Sequence, residues 1–286
     1  LLSILNFQNR KWTTKRNIAL RNLSYLLLIL PIWLYSQPNC NAYLYKGDTL
    51  QYKACKLVEN IDDHYYQFNR EFQEQYDEAI KICPKFAYAY REKSTAYLKS
   101  GDFITWKKLI DKAVQYDMEG NLGYRGWCRY QFFRDYKGAI KDIELLDSLV
   151  NYNIGYSVNG DYHLNIAKGI CYSAINQKQK AIKIFNDQLN TKDYSAGLYD
   201  YYQLGVTYYE VNDLKNALKS FEKQSEINEF ADNAYYKCKI YKSQKNEIEF
   251  KKYKVVALKL YTENKKLFDF YTRHFNSVYY ETIANE

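Results

Sequence analysis

The sequence has 286 residues with a formal net charge of +8, and its 47% apolar residues are enough for a continuous core in one large domain or two average ones. Only 3 prolines and 11 glycines interrupt it, which favours long helices over a sandwich of short strands. Residues 1–36 hold five of the 41 basic residues and no acidic ones, leaving 36 basic and 33 acidic residues elsewhere. With no dense basic run in that remainder, the composition argues against nucleic-acid binding.

The N-terminal residues 1–36 have the order of a secretory signal peptide. A basic stretch precedes the apolar run LSYLLLILPIWL at 23–34, and a polar stretch follows it. This run is shorter than the roughly 20 residues that a membrane-crossing helix needs. We expect cleavage after Ser36 or Gln37 and export to the periplasm or cell envelope of a Gram-negative-type bacterium. The alternative is an uncleaved N-terminal anchor, which would be the chain's only contact with a membrane.

Residues 37–65 are predicted to form a degenerate helical hairpin that turns at Gly47-Asp48. Cys40 and Cys55 flank this turn and are the closest pair among the six cysteines, so they are a possible disulfide in an exported protein. Such a bridge would stabilise the hairpin by about 3 kcal/mol in the loop-entropy model. Cys171 and Cys238 lie in apolar helical patterns typical of buried free thiols. With no CxxC and three scattered histidines, no metal site is predicted.

Residues 66–246 repeat one pattern of small and aromatic residues. A glycine, an aromatic three residues on, an alanine at twelve and a phenylalanine at sixteen recur with the same offsets in two units: Gly205, Tyr208, Ala217, Phe221 and Gly169, Tyr172, Ala181, Phe185. We interpret each unit as a helical hairpin in which the small residue admits the alanine, and an Asn-Asp or Gly-Asp step ends one helix and caps the next. One hairpin cannot bury its apolar faces alone, so neighbouring units must stack.

The two segments that depart from the repeat have structural interpretations. Residues 151–163, rich in Asn, Gly and Ser, are predicted to connect two hairpins, with a binding insertion as the alternative. Residues 247–286 are predicted to form C-terminal capping helices, since solenoids need a polar outer end. A partner-binding amphipathic helix is the alternative for this region.

The repeat resembles the tetratricopeptide repeat family, best at Leu204, Gly205, Tyr208, Ala217 and Phe221. The resemblance implies an all-α, right-handed superhelical solenoid whose concave face, lined by the first helix of each hairpin, binds peptides or protein surfaces. Carried over by position, it makes these residues candidates for binding: Arg91, Thr95 and Lys99 in one unit, Tyr124 and Arg125 in the next, and Tyr202, Val206 and Tyr209 in the last. The family's carboxylate clamp lacks its asparagine here, where Thr95 stands.

No sequence motif indicates catalysis or a cofactor, because the nucleophile elbow, the phosphate loop and the dinucleotide loop are all missing. We therefore expect a non-catalytic scaffold or adaptor that binds a protein or peptide partner at the envelope. The first alternative is a groove that uses some of the 33 tyrosines to bind a glycan or small ligand, which stacked rings on the concave face would indicate. A disguised enzyme would show convergent acids or a thiol–imidazole pair, and a cytosolic adaptor would have wholly reduced cysteines.

Overall fold

The computed structural model describes residues 38–269 and 272–286, so the predicted signal peptide lies outside the described residues. Within those ranges the chain forms fourteen α-helices and no strand. The nearest approach to β-structure there is a single antiparallel bridge between Tyr156 and His163. The prediction of an all-α fold is confirmed.

The helices form an N-terminal unit of three helices and then five hairpins. The N-terminal unit contains α1 (Cys40–Tyr45), α2 (Thr49–Val58), a single 3-10 turn (Ile61–Asp63) and α3 (Arg70–Ile82). The hairpins are α4 (Ala87–Ser100) with α5 (Phe103–Tyr116), α6 (Met118–Phe133) with α7 (Tyr136–Leu149), α8 (Leu164–Ala174) with α9 (Lys178–Leu189), α10 (Asp200–Glu210) with α11 (Leu214–Ile227), and α12 (Ala231–Ser243) with α13 (Glu247–Thr262). Each hairpin also packs on the next, which makes a solenoid.

Four of the five hairpin turns combine a left-handed residue with a side-chain helix cap, and the turn between α8 and α9 has the left-handed residue alone. Between α4 and α5, Gly101 has φ +84°, and the Asp102 carboxylate accepts the Thr105 N–H at 3.0 Å. The same pair of features recurs between α10 and α11, where Asn212 has φ +62° and Asp213 caps the next helix. The left-handed residue ends the first helix and the carboxylate satisfies a free N–H of the second, as the sequence predicts.

The two repeated glycines make room for a phenylalanine ring, which corrects the predicted role of alanine. A Cβ atom on Gly205 would lie 2.6 Å from the ring of Phe221, and one on Gly169 would lie 2.6 Å from the ring of Phe185. Ala217 is also fully buried. The aromatic ring, being the larger group, occupies the space that the missing side chain leaves.

The N-terminal unit is held by a covalent link. Cys40 of α1 and Cys55 of α2, the pair predicted from the sequence, form a disulfide. The turn between these helices contains Gly47, with φ +75°, and Asp48, whose side chain accepts the Gln51 N–H. The bridge closes a 15-residue loop at the start of the array.

The C-terminal residues differ from the predicted capping helices. The expected boundary at residue 246 falls in the turn of a hairpin, because α13 pairs with α12. After α13 the described chain is non-helical except for α14 (Tyr280–Ala284). The tail stretch, as we call residues 272–279, runs back across α6, α10 and α12. Its peptide groups find hydrogen-bond partners on those helices, so it has no need to form a helix of its own.

Candidate functional site

A cavity of about 310 Å³ opens between α4 and α6 and contains four of the predicted binding residues. Arg91, Thr95 and Lys99 follow one another at intervals of four along α4, so they share one face of that helix. Tyr124 and Trp127 of α6 form the facing wall. Leu98 and Phe132 add apolar surface, and Val158, Asn159 and Asp269 complete the rim.

The charges in this cavity are mixed. The Arg91 guanidinium lies over the Tyr124 ring, with 5.0 Å between its Cζ and the ring centroid, a cation–π geometry. Glu92 also faces the cavity, and desolvation raises the pKa of its carboxyl group although nearby Arg91 opposes the shift. Burial likewise raises the pKa of Tyr124, so its hydroxyl stays protonated and able to donate. An aromatic surface with both signs of charge fits a polypeptide segment better than a strongly acidic tail.

Arg125 does not share this cavity, although it adjoins Tyr124 in sequence. Successive helical residues point in different directions, and its guanidinium bonds Asp142 of α7 at 2.7 and 2.9 Å and Asp111 of α5 at 2.9 Å. The Asp142 side chain is only 2% exposed and also forms an ion pair with Arg129, with 2.9 Å between Nη1 and Oδ2. Arg125 therefore neutralises a buried carboxylate, which corrects its predicted place beside Tyr124.

The three candidates on α10 are also apart from the cavity. Tyr202 and Val206 are fully buried, and the Tyr202 hydroxyl donates to the Asn276 carbonyl of the tail stretch at 2.6 Å. The half-buried Tyr209 packs edge to face against Tyr236, with 5.4 Å between the ring centroids. Tyr202 meets the same Tyr236 ring in the same manner. These rings fill helix contacts and do not stack as an open face for a sugar.

Three buried thiols and one buried imidazole lack the features of nucleophilic chemistry. Burial raises the pKa of Cys128 and Cys171, and raises that of Cys238 to about 11, so these thiols stay protonated. Desolvation lowers the pKa of His163 to about 4. Its Nδ1 accepts the Asn165 N–H at 3.1 Å at the start of α8, so His163 is a cap.

One group in the described part of the chain has the composition of a cation site. Ligand atoms of Asp161, Asp269 and His274 lie within 4.8 Å of one another. The Nε2 of His274, 3.6 Å from Asp161, already donates to the Phe268 carbonyl at 2.9 Å. The ring also packs edge to face against Tyr162 and Tyr199. These contacts hold the tail, and we assign no metal to them.

Sequence reasoning missed the polar residues that hold the tail stretch. Gln131, Gln203 and Asp232 are 2%, 1% and 1% exposed, and each bonds residues far away in sequence. The one sequence signal for these residues is that they are polar residues within apolar helices. Since buried polar groups need hydrogen-bond partners, this indicates a contact but not which segment makes it. Trp127 was equally absent from the predicted set, although it lies three residues from Tyr124 on the same helix.

Comparison with known proteins places the chain among repeat proteins. The TPR repeat-containing protein MJ1428 of Methanocaldococcus jannaschii is 26% identical over 197 residues, covering 65% of this chain. The match spans 32% of the archaeal protein, about a third of its length. No family model matches the chain.

Two solved structures share the architecture. PilW, described as a widely conserved type IV pilus biogenesis factor, aligns with a TM-score of 0.57 and 16% identity, covering 75% of this chain and 94% of PilW. PilF of Pseudomonas aeruginosa aligns with a TM-score of 0.53 and 14% identity, covering 78% of this chain and 89% of PilF. At these identities the likeness concerns the fold.

The repeat pattern, the helical hairpins and these likenesses together identify a helical-repeat solenoid. Its fold is that of tetratricopeptide-repeat proteins. Within its described residues, no helix has the length and apolar character to cross a membrane.

Proposed function

We propose that the protein is a non-catalytic scaffold or adaptor that binds an extended segment of a protein partner in the cavity between α4 and α6. The observation that carries this proposal is the convergence of Arg91, Thr95, Lys99 and Tyr124 on one cavity. They come from the first helices of successive hairpins, the elements that line the ligand face in this class of repeat. Trp127 supplies the kind of aromatic anchor that dominates protein interfaces.

The place of action that we propose is the cell envelope. The basic and then apolar N-terminal sequence is typical of export, and the Cys40–Cys55 disulfide suits an oxidising compartment. The likeness to PilW, described as a pilus biogenesis factor, agrees with this location. Thiol alkylation of protein from native cells, before and after reduction, tests it. Two cysteines protected until reduction are expected, and six reactive cysteines without reduction would contradict export.

The binding proposal is tested by affinity capture from envelope extract with three baits: the chain, its Arg91→Ala variant, and a Lys107→Ala variant. Lys107 lines a different cavity, of about 460 Å³, next to Arg125, so its loss is the matched control. A partner enriched by the chain and by Lys107→Ala, but lost with Arg91→Ala, is expected. Hydrogen exchange should then show protection of α4 and α6. Capture that is unaffected by Arg91→Ala would refute the assignment of this cavity.

A further inference from the structure

The tail stretch lies in a groove made largely by the first helices of three hairpins. At its start, Gln131 of α6 donates to the Thr272 hydroxyl at 2.7 Å. At its end, the Val278 N–H donates to Asp232 of α12 at 2.6 Å. Between these points it crosses α10. The chain therefore folds a piece of itself onto the side of the array where a ligand would be expected.

The groove recognises this segment mainly through its backbone. The Gln203 amide donates to the Phe275 carbonyl at 3.2 Å, and the Tyr202 hydroxyl donates to the Asn276 carbonyl at 2.6 Å. Arg134, at the end of α6, donates to a third carbonyl, that of Arg273. Backbone contacts of this kind bind any segment that presents its carbonyl groups in the same arrangement.

Side-chain contacts add selectivity at the centre of the segment. The amide oxygen of Gln203 accepts the Asn276 side-chain amide at 2.9 Å, so one glutamine holds both the backbone and the side chain of the tail. The Phe275 ring packs edge to face on Tyr136, with 5.8 Å between the ring centroids. Asn276 has φ +66° and forms a turn with Phe275, so the preferred ligand is a segment that makes the same turn, with an aromatic residue followed by asparagine.

The polar groups of the groove have partners chiefly in the tail. In the described part of the chain, Gln131 and the Tyr202 hydroxyl each have one hydrogen bond, and both go to the tail. One Asp232 carboxylate oxygen accepts the Val278 N–H of the tail stretch, and the other accepts the N–H of Leu267, which follows α13. Because a buried polar group without a partner is costly, helices that met only other helices would carry apolar residues here. This surface is built to hold a peptide.

We propose that the groove of Gln131, Tyr202, Gln203 and Asp232 is a peptide-binding site, and that the tail stretch is its intramolecular ligand, which an external segment of like sequence displaces. The inference does not depend on the cavity between α4 and α6. An external peptide can bind only while the tail is released. Its apparent association constant is therefore the intrinsic one multiplied by the fraction of time that the groove is free. A tail bound nine-tenths of the time weakens external binding about tenfold.

The probe is a fluorescent synthetic peptide, TRHFNSVY, identical to residues 272–279 and titrated by anisotropy into the whole chain. The tail variant His274→Ala/Asn276→Ala weakens the intramolecular ligand and leaves every groove residue intact. It should bind the peptide about tenfold or more tightly than the unaltered chain does. Adding Tyr202→Phe, which keeps the buried ring but removes the donor to the Asn276 carbonyl, should weaken the peptide again by about fivefold or more.

Equal affinity of the unaltered chain and the tail variant would overturn the proposal, as would peptide binding that is insensitive to Tyr202→Phe. Hydrogen exchange on the unaltered chain gives a second measurement in case the tail variant fails to fold. Excess isotope-labelled peptide should speed exchange of the chain's own Val278 region without speeding that of α11. Unchanged exchange there would contradict displacement. Because neither measurement involves Arg91, failure here is distinguishable from failure of the cavity assignment.

Discussion

Replacing Gly205 by alanine tests how the repeated glycine specifies hairpin packing. Gly205 lies in α10, and an added Cβ would approach three atoms of the Phe221 ring: Cε1 at 2.6 Å, Cδ1 at 2.7 Å and Cζ at 3.0 Å. Optimal carbon–carbon contacts lie near 3.5–4.0 Å. Phe221 is fully buried, so the ring can only move by disturbing its neighbours.

Two effects of opposite sign determine the result. Alanine is favoured over glycine inside a helix by about 0.8–1 kcal/mol. Overpacking a filled core costs about 1–3 kcal/mol, and an overlap of nearly 1 Å against a rigid ring belongs at the upper end. We expect a net loss of about 1–2 kcal/mol, which for a chain of this size lowers the Tm by about 2–4 °C per kcal/mol.

The assay is thermal unfolding followed by circular dichroism. Gly169→Ala provides an internal repeat of the test, because Phe185 faces Gly169 at the same 2.6 Å. Pairing Gly205→Ala with Phe221→Leu should be less costly than the sum of the two single changes, since the smaller side chain frees the space. If Gly205→Ala were as stable as the unaltered chain, the ring contact would not be the reason for the glycine.

The remaining predictions concern charge and cross-linking. Desolvation raises the pKa of the buried Asp200 carboxyl, so its contribution to stability is full below its unfolded pKa and is lost as the pH rises through the raised folded value. The Asp200→Asn variant keeps a side-chain oxygen that can accept the Tyr194 O–H and the Gly197 N–H, which both donate to Oδ2 of Asp200. Its free energy of unfolding in urea, relative to that of the unaltered chain, should therefore increase from acid to neutral pH. A difference that does not change with pH would contradict this. Reducing the Cys40–Cys55 bridge should lower the free energy of unfolding by about 3 kcal/mol, and an unchanged denaturant midpoint would show that the loop adds nothing. Arg125→Ala should lower the free energy of unfolding by about 2 kcal/mol, because the buried Asp142 carboxylate loses one of its arginine partners. Loss of partner binding without loss of stability would instead show that Arg125 contacts the ligand.

The fold could be predicted from the sequence because its rules are local. A turn such as Gly101-Asp102 carries both the residue that tolerates a positive φ and the carboxylate that caps the next helix. The turns at Arg134 and Lys245 use residues that have no intrinsic preference for that conformation. The capping residues Asp135 and Asn246 still mark these turns, but sequence alone gives no signal for the left-handed residue itself.

The candidate site could be predicted only as far as helical geometry reaches. Intervals of four residues correctly placed Arg91, Thr95 and Lys99 on one face. On α6 the alignment with the repeat was uncertain by one position. Neighbouring residues in a helix point about 100° apart, so Tyr124 faces the cavity and Arg125 does not. The tail contacts were beyond prediction: Gln131 and Thr272 lie 141 residues apart, and their meeting depends on the curvature of the whole array.

The tail stretch divides the proposed ligand face of the array into two parts with different availability. The part between α4 and α6 keeps its cavity, while the part over α10 and α12 is covered. Asp269, four residues before Arg273 in the chain, is on the rim of that open cavity. A partner that fills the cavity therefore meets Asp269, which precedes the tail stretch by three residues. Binding at one part should change the apparent affinity at the other, and by linkage the effect must be reciprocal.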